Sequence, residues 1–231
     1  MFYIGSCRYM YGYKYNYFRA RLHTTREIIY YLENMHAIQE IVDNNPTEIT
    51  NIIFGDLLNP QVIFRTPDFT RDSIVDIKSL TKLILEISSR KLYYYGDIPV
   101  NYYCSGFDKN LVEKYNLVFK ELTDEELYND LFRIKILSEY VFNKKIKIYV
   151  IPHLNLKLKA TNNYIEKRNH TSNVLMVASH KLDLKFCNIA RYLEHARPET
   201  AFLEHYMEDH SHYSNDYNIV SSFLNYVVNN T

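Results

Sequence analysis

Apolar residues along this chain occur as short continuous blocks alternating with longer stretches of helical spacing. Phe2–Ile4 is a short apolar block that stops at Gly5. Thr24-Thr-Arg-Glu27 has the spacing of a capping box, and the segment that follows carries apolar residues at helical intervals. Together they predict a helix over 28–42, closed by Asn44-Asn45-Pro46. Ile49, Ile52, Ile53 and Leu57 predict a second short helix that ends at Asn59-Pro60. Val62–Phe64 is a candidate strand, and 72–80 has helical spacing. Leu83–Ser88 is nearly continuous apolar sequence, as expected of a strand covered on both faces. Leu92–Tyr95 and Val100–Cys104 flank Gly96 and Pro99 and predict an excursion or small hairpin. A second capping box, Thr123-Asp-Glu-Glu126, predicts a long helix to about Asn143. Lys147–Ile151 reads as another buried strand, stopped by Pro152. A helix over 162–178, a strand over 184–189 and a tail helix over 214–228 complete the pattern.

Strands separated by helices of this length imply βαβ crossovers. The expected fold is therefore α/β: a doubly wound, mostly parallel sheet of four or five strands between helical layers. No linker, repeat or long like-charge run divides the chain, so residues 1–231 are expected to form a single domain. Reactive groups in such sheets gather at the carboxyl ends of strands. Three polar clusters follow apolar strands directly: Gly5-Ser6-Cys7-Arg8, Glu86-Ile-Ser-Ser-Arg90 and Pro152-His-Leu-Asn155. They are expected to meet on one rim.

Charge removes several functional classes. The 27 basic and 27 acidic residues cancel, so no broad electrostatic footprint for nucleic acid or an anionic membrane exists. The 23 tyrosines could offer stacking surface to single strands, but zero net charge favours ordinary packing. No segment has the roughly 18 consecutive apolar residues of a membrane helix, and the N-terminus lacks the features of a signal peptide. Three scattered cysteines without a CxxC pair fit a reducing compartment, so an intracellular location is expected. Abundant Tyr, Asn, Ile and Lys with no Trp resemble proteins of AT-rich genomes, large DNA viruses among them.

Two motifs carry candidate chemistry. Gly5 permits a tight turn at a strand end, and Ser6 and Cys7 then offer a hydroxyl and a thiol beside Arg8, whose charge favours a thiolate. Near the other end, Asp209-His-Ser-His212 sets a carboxylate where it can orient an imidazole that acts as a base. In this order the two motifs resemble the SGNH hydrolase superfamily, and in particular its Gly-Ser-Cys branch, with GSCFA-type and polysaccharide-locus proteins. The likeness spans nearly the whole chain. It implies a three-layer α/β/α, flavodoxin-like fold and acyl-ester chemistry on a carbohydrate, by hydrolysis or by transfer from a donor such as acetyl-coenzyme A. No other cofactor and no metal is implied. It makes His212 the base and Asp209 its partner. Register from Gly5 points to Cys7 as nucleophile, whereas the chemistry of the common hydrolases points to Ser6. The family's later glycine and Gly-x-Asn-Asp blocks have no counterpart; Ser88, Ser89 and Arg90 occupy the region of the oxyanion donors.

Other features have plainer readings. Arg21, His23 and Arg26 precede the first long helix and could hold a phosphate there, or simply flank a capping box. His205, His210 and His212 with Asp209 match no metal-ligand spacing. Cys104 and Cys187 suit small buried apolar positions. No nucleotide-binding glycine motif is present. The alternative to an enzyme is a catalytically silent scaffold that binds a small molecule or glycan.

Overall fold

The structure, a computed structural model, describes residues 2–5, 22–35, 37–54, 81–102, 110–207 and 223. The predicted strand at 62–64 and helices at 72–80 and 214–228 lie outside these residues, Phe223 excepted, as does Cys104.

Four strands form a parallel sheet: β1 (Phe2–Ile4), β2 (Lys82–Ile87), β6 (Lys147–Pro152) and β7 (Lys185–Phe186), side by side in that order. Leu85 of β2 is opposite Ile4 on one side and Val150 on the other, so β2 and β6 are central. A second, antiparallel sheet is inserted between β2 and β6. It holds β3 (Lys91–Tyr95), β4 (Ile98–Asn101) and β5 (Val118–Glu121), with β3 in the middle. The β3–β4 hairpin turns at Gly96, whose φ of 56° suits glycine. The protein is thus mixed α/β with a parallel sheet.

The helices are α1 (Thr25–Asn34), α2 (Ile38–Asn44), α3 (Thr47–Phe54), α4 (Asn110–Lys114), α5 (Asp124–Phe142), α6 (Glu166–Lys181), α7 (Ile189–Ala196) and the single turn α8 (Leu203–Tyr206). Both predicted capping boxes form. The Thr24 hydroxyl accepts the Glu27 N–H while Glu27 reaches back to the Thr24 N–H, and Thr123 and Glu126 do the same. The single helix expected over 28–42 is instead two, α1 ending at Asn34 and α2 beginning at Ile38. The expected strand over 184–189 narrows to two residues: Asn188 accepts the Ala190 N–H and starts α7. The helix expected over 162–178 begins only at Glu166, after a turn in which Asn162 takes a left-handed φ of 57°.

The alternating sides of β2 and β6 bury two separate clusters. Leu83, Leu85, Ile87, Ile148 and Val150 meet Ile28 and Leu32 of α1, Leu131 and Ile134 of α5, and Leu175 and Ala178 of α6. Strand order advances in one direction, and right-handed crossovers then keep their helices on one face. Ile84, Tyr149 and Ile151 point the other way, into Ile189 and Leu193 of α7, Leu203, Tyr206, Met207 and Phe223. Each fully buried aliphatic side chain contributes about 2 kcal/mol. No helix among the described residues is long and apolar enough to cross a membrane.

Candidate functional site

The carboxyl ends of β2 and β6 open on a cleft of about 260 Å³. Its floor comes from the loops just after the strands: Ser88, Ser89 and Arg90 after β2, and His153 after β6. Its outer walls come from the first turns of α6 and from the antiparallel sheet. Two of the three clusters expected to meet at the rim therefore do so. The third begins at Gly5, which is buried at the end of β1, directly beside β2.

The loop after β2 is stitched to the segment that leads into α1. The backbone N–H groups of Ser88 and Ser89 both donate to the His23 carbonyl, each at 3.0 Å. The Ser88 hydroxyl lies 2.9 Å from Nδ1 of His23, and both side chains are buried. Ser89 closes a local turn, accepting the Lys91 N–H at 3.0 Å. Arg90 is held by the Leu122 carbonyl and by Asp124, each at 2.7 Å, which fastens the loop to the start of α5. Asp124 also meets the His170 ring at 3.0 Å. Partial burial pulls the Asp124 carboxyl up, but His170 and Arg90 together hold it below its ordinary value.

Behind His23 lies a wholly buried carboxyl. Glu27 Oε2 accepts the Thr24 hydroxyl at 2.7 Å, the Thr24 N–H at 2.8 Å and the His23 N–H at 3.2 Å. Burial outweighs these donors and raises its pKa to about 7. Its other oxygen has no hydrogen-bond partner among the described residues.

Of the three side chains that could hold a phosphate at the start of α1, the two described ones are engaged within the protein. His23 is turned inward onto Ser88, and Arg26 is engaged by Asp130 at 2.9 Å and Glu126 at 3.8 Å. The capping box itself satisfies the first-turn amide of Glu27. Arg21, together with Ser6, Cys7, Arg8, Asp209 and His212, lies outside the described residues.

The structure adds residues to the site that the sequence pattern did not single out. Lys167, Arg168, Thr171 and Ser172 line the cleft from α6, and Lys91, Tyr102 and Glu121 from the small sheet. Arg168 donates to the Leu154 carbonyl at 3.1 Å, and Lys91 sits 5.3 Å over the Tyr102 ring. Asn155 fixes the approach to α6 by accepting the Ile165 N–H at 3.1 Å. His153 follows a predicted strand, and its position there was the available signal. Glu86, one residue before Ile87, is fully buried within β2. Cys187 is half-buried against the second cluster, and burial pushes its thiol up to about 11, so it is a poor nucleophile at neutral pH. Among the described residues no group of three or more His, Cys, Asp or Glu is arranged to hold a metal.

The fold and cleft define a class: a mixed α/β protein with a ligand-sized, cation-lined hollow at the carboxyl edge of a parallel sheet. Comparison with family models, with curated proteins and with solved structures returned no match.

Proposed function

We propose that this protein handles acyl esters of a carbohydrate, as a hydrolase or an O-acetyltransferase on a doubly wound SGNH-type sheet. The reading rests on Gly5, which is buried at the end of β1 beside β2, the strand whose carboxyl end opens on the cleft. A doubly wound sheet requires one reversal of strand order, and the four described parallel strands include none.

In this reaction Cys7, or Ser6, attacks the ester carbonyl and passes its proton to His212. His212 returns that proton to the departing alkoxide, and Asp209 orients the ring. Water or a sugar hydroxyl then attacks the acyl-enzyme, losing its proton to His212, which returns it to Cys7 or Ser6 as the acyl bond to that side chain breaks. Met207 and Phe223, on either side of 209–212, are both anchored in the cluster on the sheet's second face. A second reading, a silent scaffold that only binds a ligand, is favoured by one contact pair. The Ser88 and Ser89 N–H groups are committed to the His23 carbonyl, so they offer nothing to an oxyanion.

Hydrolysis of an aryl acetate, with and without acetyl-coenzyme A and a sugar acceptor, separates these readings. The enzymatic reading expects His212→Ala and one of Cys7→Ala or Ser6→Ala to lower the rate at least ~100-fold. Equal rates in the wild type and His212→Ala would remove the assigned base. No turnover, with Cys7 alkylated no faster than Cys187, would leave the binding reading.

A further inference from the structure

Among the described residues, four cations line the cleft against a single carboxylate. Arg90, Lys91, Lys167 and Arg168 face it with Glu121, in a chain whose net charge is zero. Lys167 and Arg168 lie with Glu166 in the first turn of α6, two cations against one carboxylate at the end of a helix that favours negative charge. The residue before that turn, Ile165, makes no side-chain cap. A bound anion would reconcile both features.

Ser172 gives an independent indication. It lines the cleft one turn further along α6 and is 6% exposed, yet its hydroxyl has no hydrogen-bond partner among the described residues. A serine within a helix commonly bonds a carbonyl one turn back. Its neighbour Thr171 does so, donating to the Lys167 carbonyl at 3.0 Å. A ligand oxygen in the cleft would satisfy Ser172.

We propose that the cleft binds the phosphate group of a small phosphorylated ligand, with Lys167 and Arg168 supplying charge and Ser172 and Ser88 supplying hydroxyl contacts. A tetrahedral dianion suits this set, because it presents several acceptor oxygens to donors on different elements. The site stands whether or not the rim performs acyl chemistry, since it uses neither Cys7 nor His212. If it does, the phosphate belongs to the acyl donor or to a phosphorylated acceptor.

The test is calorimetric titration of the full chain at low ionic strength with inorganic phosphate, pyrophosphate and glucose 1-phosphate, against acetate at equal ionic strength. Saturable binding is expected for the phosphates and not for acetate, weakening as salt is added. Tighter binding of glucose 1-phosphate than of inorganic phosphate would indicate a phosphorylated sugar, and tighter binding of pyrophosphate a diphosphate-bearing donor. Lys167→Ala, which alters an exposed side chain, and Ser172→Ala should each weaken binding about tenfold. Lys144→Ala, away from the cleft, should leave it unchanged. Absence of saturable binding, or wild-type affinity in Lys167→Ala and Ser172→Ala at unchanged melting temperature, would overturn the proposal.

Discussion

Glu27 joins helix capping to burial, and the two have opposite demands on its charge. The capping box is best served by a carboxylate, while complete burial penalises that charge and raises the pKa to about 7 from an ordinary 4.5. A folded-state pKa above the unfolded one means that the native state binds the extra proton. Its contribution is therefore fully present below about pH 4.5 and is lost as the pH rises through 7, amounting to about 3 kcal/mol across that window. Glutamine keeps the geometry of the box without the charge. Glu27→Gln is expected to match the wild type at pH 5 and to exceed it by about 1–3 kcal/mol at pH 8, measured by urea unfolding. An unchanged slope of stability with pH in the variant would assign the titration elsewhere. The residue-scale chemistry was only partly legible in the sequence. Ser88, Ser89, Arg90 and His153 could be found because a polar residue just after a buried strand must emerge at the sheet's edge. Lys167, Arg168 and Ser172 could not, because nothing along the chain says which strand ends the start of a helix will overlie.

At the scale of elements, local signals were the readable ones. The capping boxes at Thr24 and Thr123 involve residues three apart, and apolar blocks such as Lys147–Ile151 are covered on both faces whatever their neighbours. The division between α1 and α2 was hidden because helical spacing runs straight across it, through Leu32, Met35, Ile38 and Val42. β5 was hidden too: Val118 and Phe119 are exposed, and the strand is defined by its pairing with β3 rather than by alternation. Long-range polar contacts between elements were equally invisible. Asp130 of α5, its side chain 4% exposed, accepts the Thr25 hydroxyl at 2.7 Å and Nε of Arg26 at 2.9 Å, tying α5 to the first turn of α1. Burial raises the Asp130 pKa despite both donors, so the carboxylate depends on them. Asp130→Ala is expected to cost about 2–3 kcal/mol and Thr25→Val about 1 kcal/mol. In chemical denaturation the double variant should fall short of the sum by about 1 kcal/mol. Strict additivity would mean that the two side chains do not interact.

At the scale of the molecule, β2 and β6 make the two clusters interdependent. Neighbouring residues of one strand enter opposite cores: Leu85 on the side of α1, α5 and α6, Ile84 on the side of α7 and Phe223. The antiparallel sheet joins the first of these, since Ile98 and Val100 of β4 belong to the same cluster as Leu85, with Tyr93 and Tyr95 of β3 packed against it. A cavity at Leu85 should therefore be felt in both sheets rather than in the parallel one alone. Leu85→Ala is expected to cost about 2–5 kcal/mol. Native-state hydrogen exchange should show the slowest amides of β2, β6 and β3 losing protection by that same amount, because one cooperative unit opens as a whole. If β3 kept its protection while β2 and β6 lost theirs, the inserted sheet would be a separate folding unit. The cleft would then lie between two units, because its floor follows β2 and β6 whereas Lys91 and Glu121 belong to the inserted sheet.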